Sequence, residues 1–252
     1  MNDRKKSASS YGSRPYTQAR NAADRLDEVV YRISHDLQGP ARAIRIIPEW
    51  LNEDFAEAGI ALPDPIENHL ELLRRQAHRM QKMILDLLVF SRIGRHQPAV
   101  QGNLEEFVTS LFRSIPGTDQ FDLAVDLQAG FPAIGSEDAE ALFHSLLTNS
   151  VKHHPKDTGA IEVRSVFDGR VFTVSVSDDG AGIPEKDREH SMGFMTTLQS
   201  RDETEGSGMG LPIAIKVCET YGGTLEIDTR PNGRGCVVRG VFPVGARRMS
   251  DG

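Results

Sequence analysis

The chain has 252 residues, 38% of them hydrophobic and 26% charged, with a formal net charge of −7. That length suits one large or two ordinary domains, and the acidic balance argues against a general nucleic-acid binder, which carries a basic face. No apolar run approaches the roughly 18 residues of a membrane span, and the start, MNDRKKSASS, has no apolar stretch to serve as a secretory leader. The expectation is a cytoplasmic protein in which Cys218 and Cys236 stay reduced, one in a helix and one in a strand.

Residues 1–18 are rich in Ser, Arg, Lys and Asn without periodicity, and read as a disordered tail. A long helix is expected from about Gln18 to Ala56. Its apolar seam is Leu26, Val30, Ile33, Leu37, Pro40, Ile44, Ile47 and Leu51, in steps of four and three. Gly59, Pro63 and Pro65 mark a turn. A second helix, from about Ile66 to Arg95, carries the seam Ile66, Leu70, Leu73, Ala77, Met80, Ile84, Leu87 and Ser91. Two such helices joined by a short loop make an antiparallel hairpin. Each buries one stripe, so Val29, Leu72, Met83 and Leu88 are left over. That surplus points to a homodimer in which two hairpins form a four-helix bundle. A single hairpin packed on the next domain is the alternative.

The first helix contains Ser34-His35-Asp36-Leu37-Gln38-Gly39-Pro40. His35 falls off the seam and faces outward. A partly neutral imidazole is a nucleophile near pH 7, and Asp36 can hold the other ring nitrogen protonated. Pro40 removes a backbone N–H and is expected to bend the helix. Taken alone, such a pair on a helix surface is usually only solvated.

Residues 19–97 therefore read as a helical dimerisation unit, 98–103 as a linker, 104–245 as a second domain and 246–252 as a fraying tail. In the second domain, helical spacing covers Leu104–Ile115, and alternation marks a strand at Phe121–Leu127. Ser136–His153 is a helix with Ser136 as its N-cap. Ile161–Phe167 and Val171–Ser177 form a hairpin around Asp168-Gly169. A helix over Gly208–Tyr221 precedes a strand pair, Thr224–Asp228 and Gly235–Phe242. The fold class is α+β: a helical hairpin followed by an α/β sandwich.

Three stretches of this domain carry chemistry. Asp178-Asp179-Gly180-Ala181-Gly182-Ile183 follows a strand, where glycines let a flat ligand approach and a carboxylate can accept from an exocyclic amine. Gly206-Ser207-Gly208-Met209-Gly210-Leu211 runs into a helix start, which offers N–H groups and a favourable dipole to phosphates. It is neither the dinucleotide fingerprint nor the lysine-bearing P-loop. Asn149 and Lys152, three apart on one helix, share a face; the Asn oxygen suits Mg²⁺ and the ammonium suits phosphate. The His153-His154 pair lacks the acid or cysteine partners of a zinc site.

In this order, the His-Asp helix, second helix, Asn box and two glycine boxes resemble a sensor histidine kinase of two-component signalling. The second domain resembles the Bergerat (GHKL) ATP-binding fold, and the phosphoacceptor box is similar to that of phytochrome-type kinases. The resemblance spans about residues 20–245. It implies that His35 accepts the phosphoryl group and that Asp36 orients it. It implies ATP and Mg²⁺ as cofactors, with Asn149 as the metal ligand and Lys152 at the phosphates. His153 would stack on the adenine and Asp178 would bind its amine. Gly180, Gly182 and Ile183 would form one wall; Gly206, Ser207, Gly208, Met209, Gly210 and Leu211 would form another. Residues 185–205, with Thr197, would be a mobile lid. The implied partners are a second copy, a response-regulator receiver domain and a separate input protein; nucleic acid is not among them. A phosphotransfer scaffold with little kinase activity is the alternative. The sequence departs from the family at Gly39, where Thr or Asn often serves phosphatase action, at Ser145, where Asn is common, and in a lid whose nearest basic residue to Thr197 is Arg201.

Overall fold

The computed structural model describes residues 14–128, 132–198, 206–230 and 233–243, with side chains from residue 27 onward. The expected C-terminal tail and residues 1–13 lie outside that range. Helix α1 spans Arg14–Glu57 and runs through both Pro40 and Pro48. It thus begins inside the stretch expected as a tail. Helix α2 spans Asp64–Arg92, with Pro65 at its start, where the missing N–H costs nothing.

The two helices form the expected hairpin; the buried line keeps the expected seam positions Ala77, Ile84 and Ser91 on α2 but runs one residue beyond the expected seam on α1. Ser34, Ala41 and Pro48, seven apart, are buried on α1, facing Ala77, Ile84, Leu88 and Ser91 of α2. Most of these are small, which lets the helix axes approach. The large residues Ile33, Leu37, Ile44 and Ile47 of the expected seam are 41–55% exposed, as are Leu73 and Leu85 at 42% and 44%. They lie beside the buried line, on the hairpin's open side. Leu88, expected as surplus, is buried at 8%.

The second domain comprises α3 (Leu104–Ser114), β1 (Phe121–Asp126), α4 (Ser136–Lys152), β2 (Gly159–Phe167), β3 (Val171–Asp178), α5 (Glu185–Ser191), α6 (Gly210–Thr220), β4 (Thr224–Thr229) and β5 (Cys236–Pro243). The sheet order is β1-β2-β3-β5-β4. β1 and β2 are parallel, a pairing the alternation pattern did not reveal, and α4 is the crossover that parallel strands require. The other pairs are antiparallel. Leu142, Phe143, Leu146, Leu147, Ile213, Ala214 and Val217 of the helices cover Ile161, Val163, Phe172, Val174 and Val176 of the sheet, all of them nearly inaccessible. In the β2–β3 turn, Asp168 Oδ1 accepts from the N–H groups of Arg170 (2.8 Å) and Val171 (2.7 Å).

The cap of α4 comes from far away. Gly135, not Ser136, is the N-cap residue and supplies no side chain. Gln97 Oε1 instead accepts from Glu137 N at 2.6 Å and Asp138 N at 3.2 Å. Asp138 in turn accepts from Gly94 N and from the Tyr221 hydroxyl, which itself accepts from Gly135 N. Ser136 N donates to Pro98 O, and Val100 N to Ile134 O. The stretch expected as a free linker is therefore stitched to α4. Gly94, with φ +84°, just past the end of α2, is the nearest backbone pivot.

Candidate active site

His35 projects from the middle of α1 with 65% of its side chain exposed. Its Nδ1 lies 3.3 Å from Asp36 Oδ1, close enough for an Nδ1–H to donate to the carboxylate. One turn earlier, Tyr31 has its ring centroid 6.3 Å from the His35 ring. Arg92 of α2 donates to the Tyr31 hydroxyl at 3.4 Å, and Arg92 and Arg95 lie 5.3 and 4.8 Å from the Tyr31 ring.

The nucleotide-type residues converge in the second domain. Asn149 and Lys152 occupy the last turns of α4, and the Gly206–Gly210 run lies directly against them. A Cβ at Gly210 would fall 2.9 Å from the Asn149 amide, and Lys152 Nζ packs on Gly206. Gly208 has φ +73°, and the Thr196 backbone fills the space a side chain would take. The glycine run is thus enclosed by α4 on one side and the lid on the other.

Asp178 ends β3 and is only 9% exposed. Its Oδ1 accepts from Gly180 N (3.0 Å) and Cys236 N (3.3 Å), which leaves Oδ2 outside both bonds. Gly182, at φ +76°, packs on the Gly235 carbonyl, while Ile183 and Leu211 are half-buried against the core. Met209, expected to line the phosphates, is fully buried and its side chain belongs to the core. His153, expected to stack on adenine, is exposed at the C-cap of α4. The buried ring is its neighbour His154, which bonds Asp179 at 3.1 Å. The spacing of the Asn box drew attention to the first histidine, not the second.

The stretch expected as a lid is not wholly a loop, since it opens with α5. Thr196 Oγ1 donates to His190 O and Gly193 O, both at 2.7 Å, and Thr197 follows, half-buried. Arg201 lies outside the described residues.

Both the lid and the glycine run dock on the hairpin. Ser207 Oγ donates to Asp86 of α2, so this hydroxyl turns from the cradle toward the helix. Phe194 of the lid stands edge-on to Phe90 at 5.4 Å. At about 1.5 Å per residue, the Tyr31–Arg92 contact places Asp86 and His35 within about one helical turn of the same height along the hairpin. The glycine run is thus docked at about the height of the histidine.

Residues 136–246 match the family of histidine kinase-, DNA gyrase B-, and HSP90-like ATPases. The chain is 30% identical to cyanobacterial phytochrome B of Nostoc sp. over 210 residues, 81% of this chain and 28% of that protein. It is 24% identical to the signal transduction histidine-protein kinase ArlS of Staphylococcus haemolyticus, over 86% of this chain and 52% of the relative. In fold it is similar to full-length ShkA, solved in complex with AMPPNP, with TM-score 0.61 and 18% identity over 86% of this chain and 45% of that one. It is likewise similar to histidine kinase ThkA, solved in complex with response regulator protein TrrA, with TM-score 0.57 and 16% identity over 94% of this chain and 68% of that one. The chain spans 25–56% of the length of the curated relatives it matches. The matched family model covers the second domain, and the alignments with histidine kinases extend over the helical hairpin as well. No helix among the described residues is long and apolar enough to cross a membrane.

Proposed function

We propose that the chain is an ATP-dependent protein-histidine kinase that phosphorylates its own His35 and passes the phosphoryl group to an aspartate of a receiver domain. The observation that carries this reading is the docking of the Gly206–Gly210 run, through Ser207 and Asp86, at about the height of His35. An acceptor on one domain and a phosphate cradle on the other then need only a local swing about Gly94 to meet.

In this reading Asp178 accepts from the adenine amine, against the wall of Gly180, Gly182 and Ile183. Lys152, the Gly206–Gly210 N–H groups and the N-terminus of α6 face the phosphates. The Asn149 carbonyl oxygen, beside Gly210, is the hard donor that suits Mg²⁺, which when bound neutralises phosphate charge. His35 Nε2 attacks the γ-phosphorus in line, and the bond to the bridging oxygen breaks as ADP leaves. Asp36 stabilises the positive charge that develops on the ring. Catalysis is then mostly positioning.

The exposed apolar residues beside the buried hairpin line support a homodimer through that face. The likeness to a kinase solved with a response regulator supports a receiver partner, and the input would come from a separate sensor protein. The reading as a scaffold with little kinase activity is disfavoured by the intact set of Asn149, Lys152 and Asp178 around the glycine run.

Two experiments test the proposal. Titration with an ATP analogue and Mg²⁺ should show saturable binding that Asp178→Asn weakens by about 10- to 100-fold, the scale of a lost charge-assisted hydrogen bond. In a chase, label on the purified chain should move to an isolated receiver domain and fail to move to a receiver lacking its aspartate. A chain that binds no nucleotide would overturn the reading.

A further inference from the structure

His154 has no part in the mechanism above, yet it is the most enclosed polar ring near the nucleotide site, with 4% of its side chain exposed. It follows α4 directly, two residues after Lys152. Its Nε2 lies 3.1 Å from Asp179 Oδ1, and its Nδ1 lies 2.9 Å from the carbonyl oxygen of Lys156. The ring packs edge-on to Phe121 of β1 at 5.3 Å. Its Cδ2 lies 3.1 Å from the place a Gly180 Cβ would occupy, so the ring presses on the turn that follows Asp178. Asp179 also accepts from Ala160 N at 2.8 Å, at the start of β2.

These contacts join two walls that must stand a fixed distance apart. One wall is the end of α4, with Asn149 and Lys152. The other is the Asp178–Gly182 turn. We propose that His154, clamped to Asp179, is a positioning residue that sets the width of the nucleotide slot between the Asn149–Lys152 wall and the Asp178–Gly182 wall. The inference rests on the reading of this cleft as an ATP site. His154 touches neither the nucleotide nor the reacting atoms, and it acts through Asp179 and Gly180.

Both ring nitrogens face acceptors, a carbonyl and a carboxylate, and Lys156 N also approaches Nδ1, at 3.3 Å. The first cause holding the Asp179 carboxyl below its usual range is the Ala160 N–H, and the His154 bond adds to it. The charged groups around the ring are Asp179, then Lys156 and Arg234, which line the adjoining cavity with Thr158 and Gly159.

The test uses the full chain and measures autophosphorylation kinetics and ADP binding for wild type, His154→Gln, Asp179→Asn and the double variant. Melting temperatures are taken in parallel. The expected result is a KM for ATP raised about tenfold in either single variant, with kcat at saturating ATP retained and no further loss in the double. ADP affinity should fall by a similar factor in either single variant. An unchanged KM, or a lowered melting temperature with unaltered KM, overturns the proposal. Asp178→Asn serves as the control: if it binds ADP as wild type does, the cleft is not the nucleotide site and this inference falls with that reading.

Discussion

Lys216 Nζ of α6 lies 2.8 and 2.9 Å from the two carboxylate oxygens of Asp27 on α1, and 4.1 Å from the Phe90 ring centroid on α2. One ammonium thus ties the second domain to both helices of the hairpin. Its side chain is 19% exposed and that of Asp27 32%, so solvent screening keeps the ion pair to about 1 kcal/mol. Lys216→Ala is expected to loosen docking without unfolding either part. The measurement is hydrogen exchange at Ile93–Val100, which should quicken in Lys216→Ala and in Asp27→Ala. The swap of Asp27→Lys with Lys216→Asp should restore it. A double-mutant cycle without coupling would contradict this.

His144 of α4 faces Lys82 and Asp86 of α2. Burial first, and Lys82 second, hold its imidazole below the ordinary 6.5, against the opposing pull of Asp86 and Glu140. The unfolded chain then binds that proton more readily than the folded one. Stability from this group is complete above pH 6.5 and is lost as pH falls through the lower, folded value. Melting temperature should therefore drop between pH 7 and pH 5, and drop less in His144→Gln. Identical slopes would count against it.

Both thiols are buried and free. Burial pushes Cys218 up to about 12, with Glu219 adding to it, and likewise Cys236 to about 12, with Asp178 adding to it. The thiolate is the reactive form. At pH 8 an aromatic disulfide reagent should leave the native chain unmodified and titrate both cysteines in denaturant. Fast reaction of the native chain would contradict the packing of α6 on β5.

The parts of the fold legible in the sequence were those written in local spacing. Steps of four and three marked the two long helices, because a helix repeats its apolar face at that period. The glycine boxes were legible because close backbone approach excludes a side chain, as at Gly208 and Gly210. The buried line of the hairpin was not legible on α1. There, Ser34 and Ala41 are too small or polar to register as a seam, and the large apolar residues beside them face the open side. The cap of α4 was hidden because Gln97 reaches it from 40 residues away in sequence. The parallel pairing of β1 depends on the path of α4, which strand alternation does not encode. His154 was overlooked for a related reason: the turn after α4 decides which of two adjacent rings points inward.

The most direct test of the central claim is incubation with γ-labelled ATP and Mg²⁺, comparing wild type with His35→Gln and following the label in acid and in base. A phosphoramidate at the His35 ring predicts label that is acid-labile and base-stable in wild type, and none in His35→Gln although that variant still binds ATP. Label that persists in His35→Gln, or that survives acid, would contradict the assignment of His35 as the acceptor.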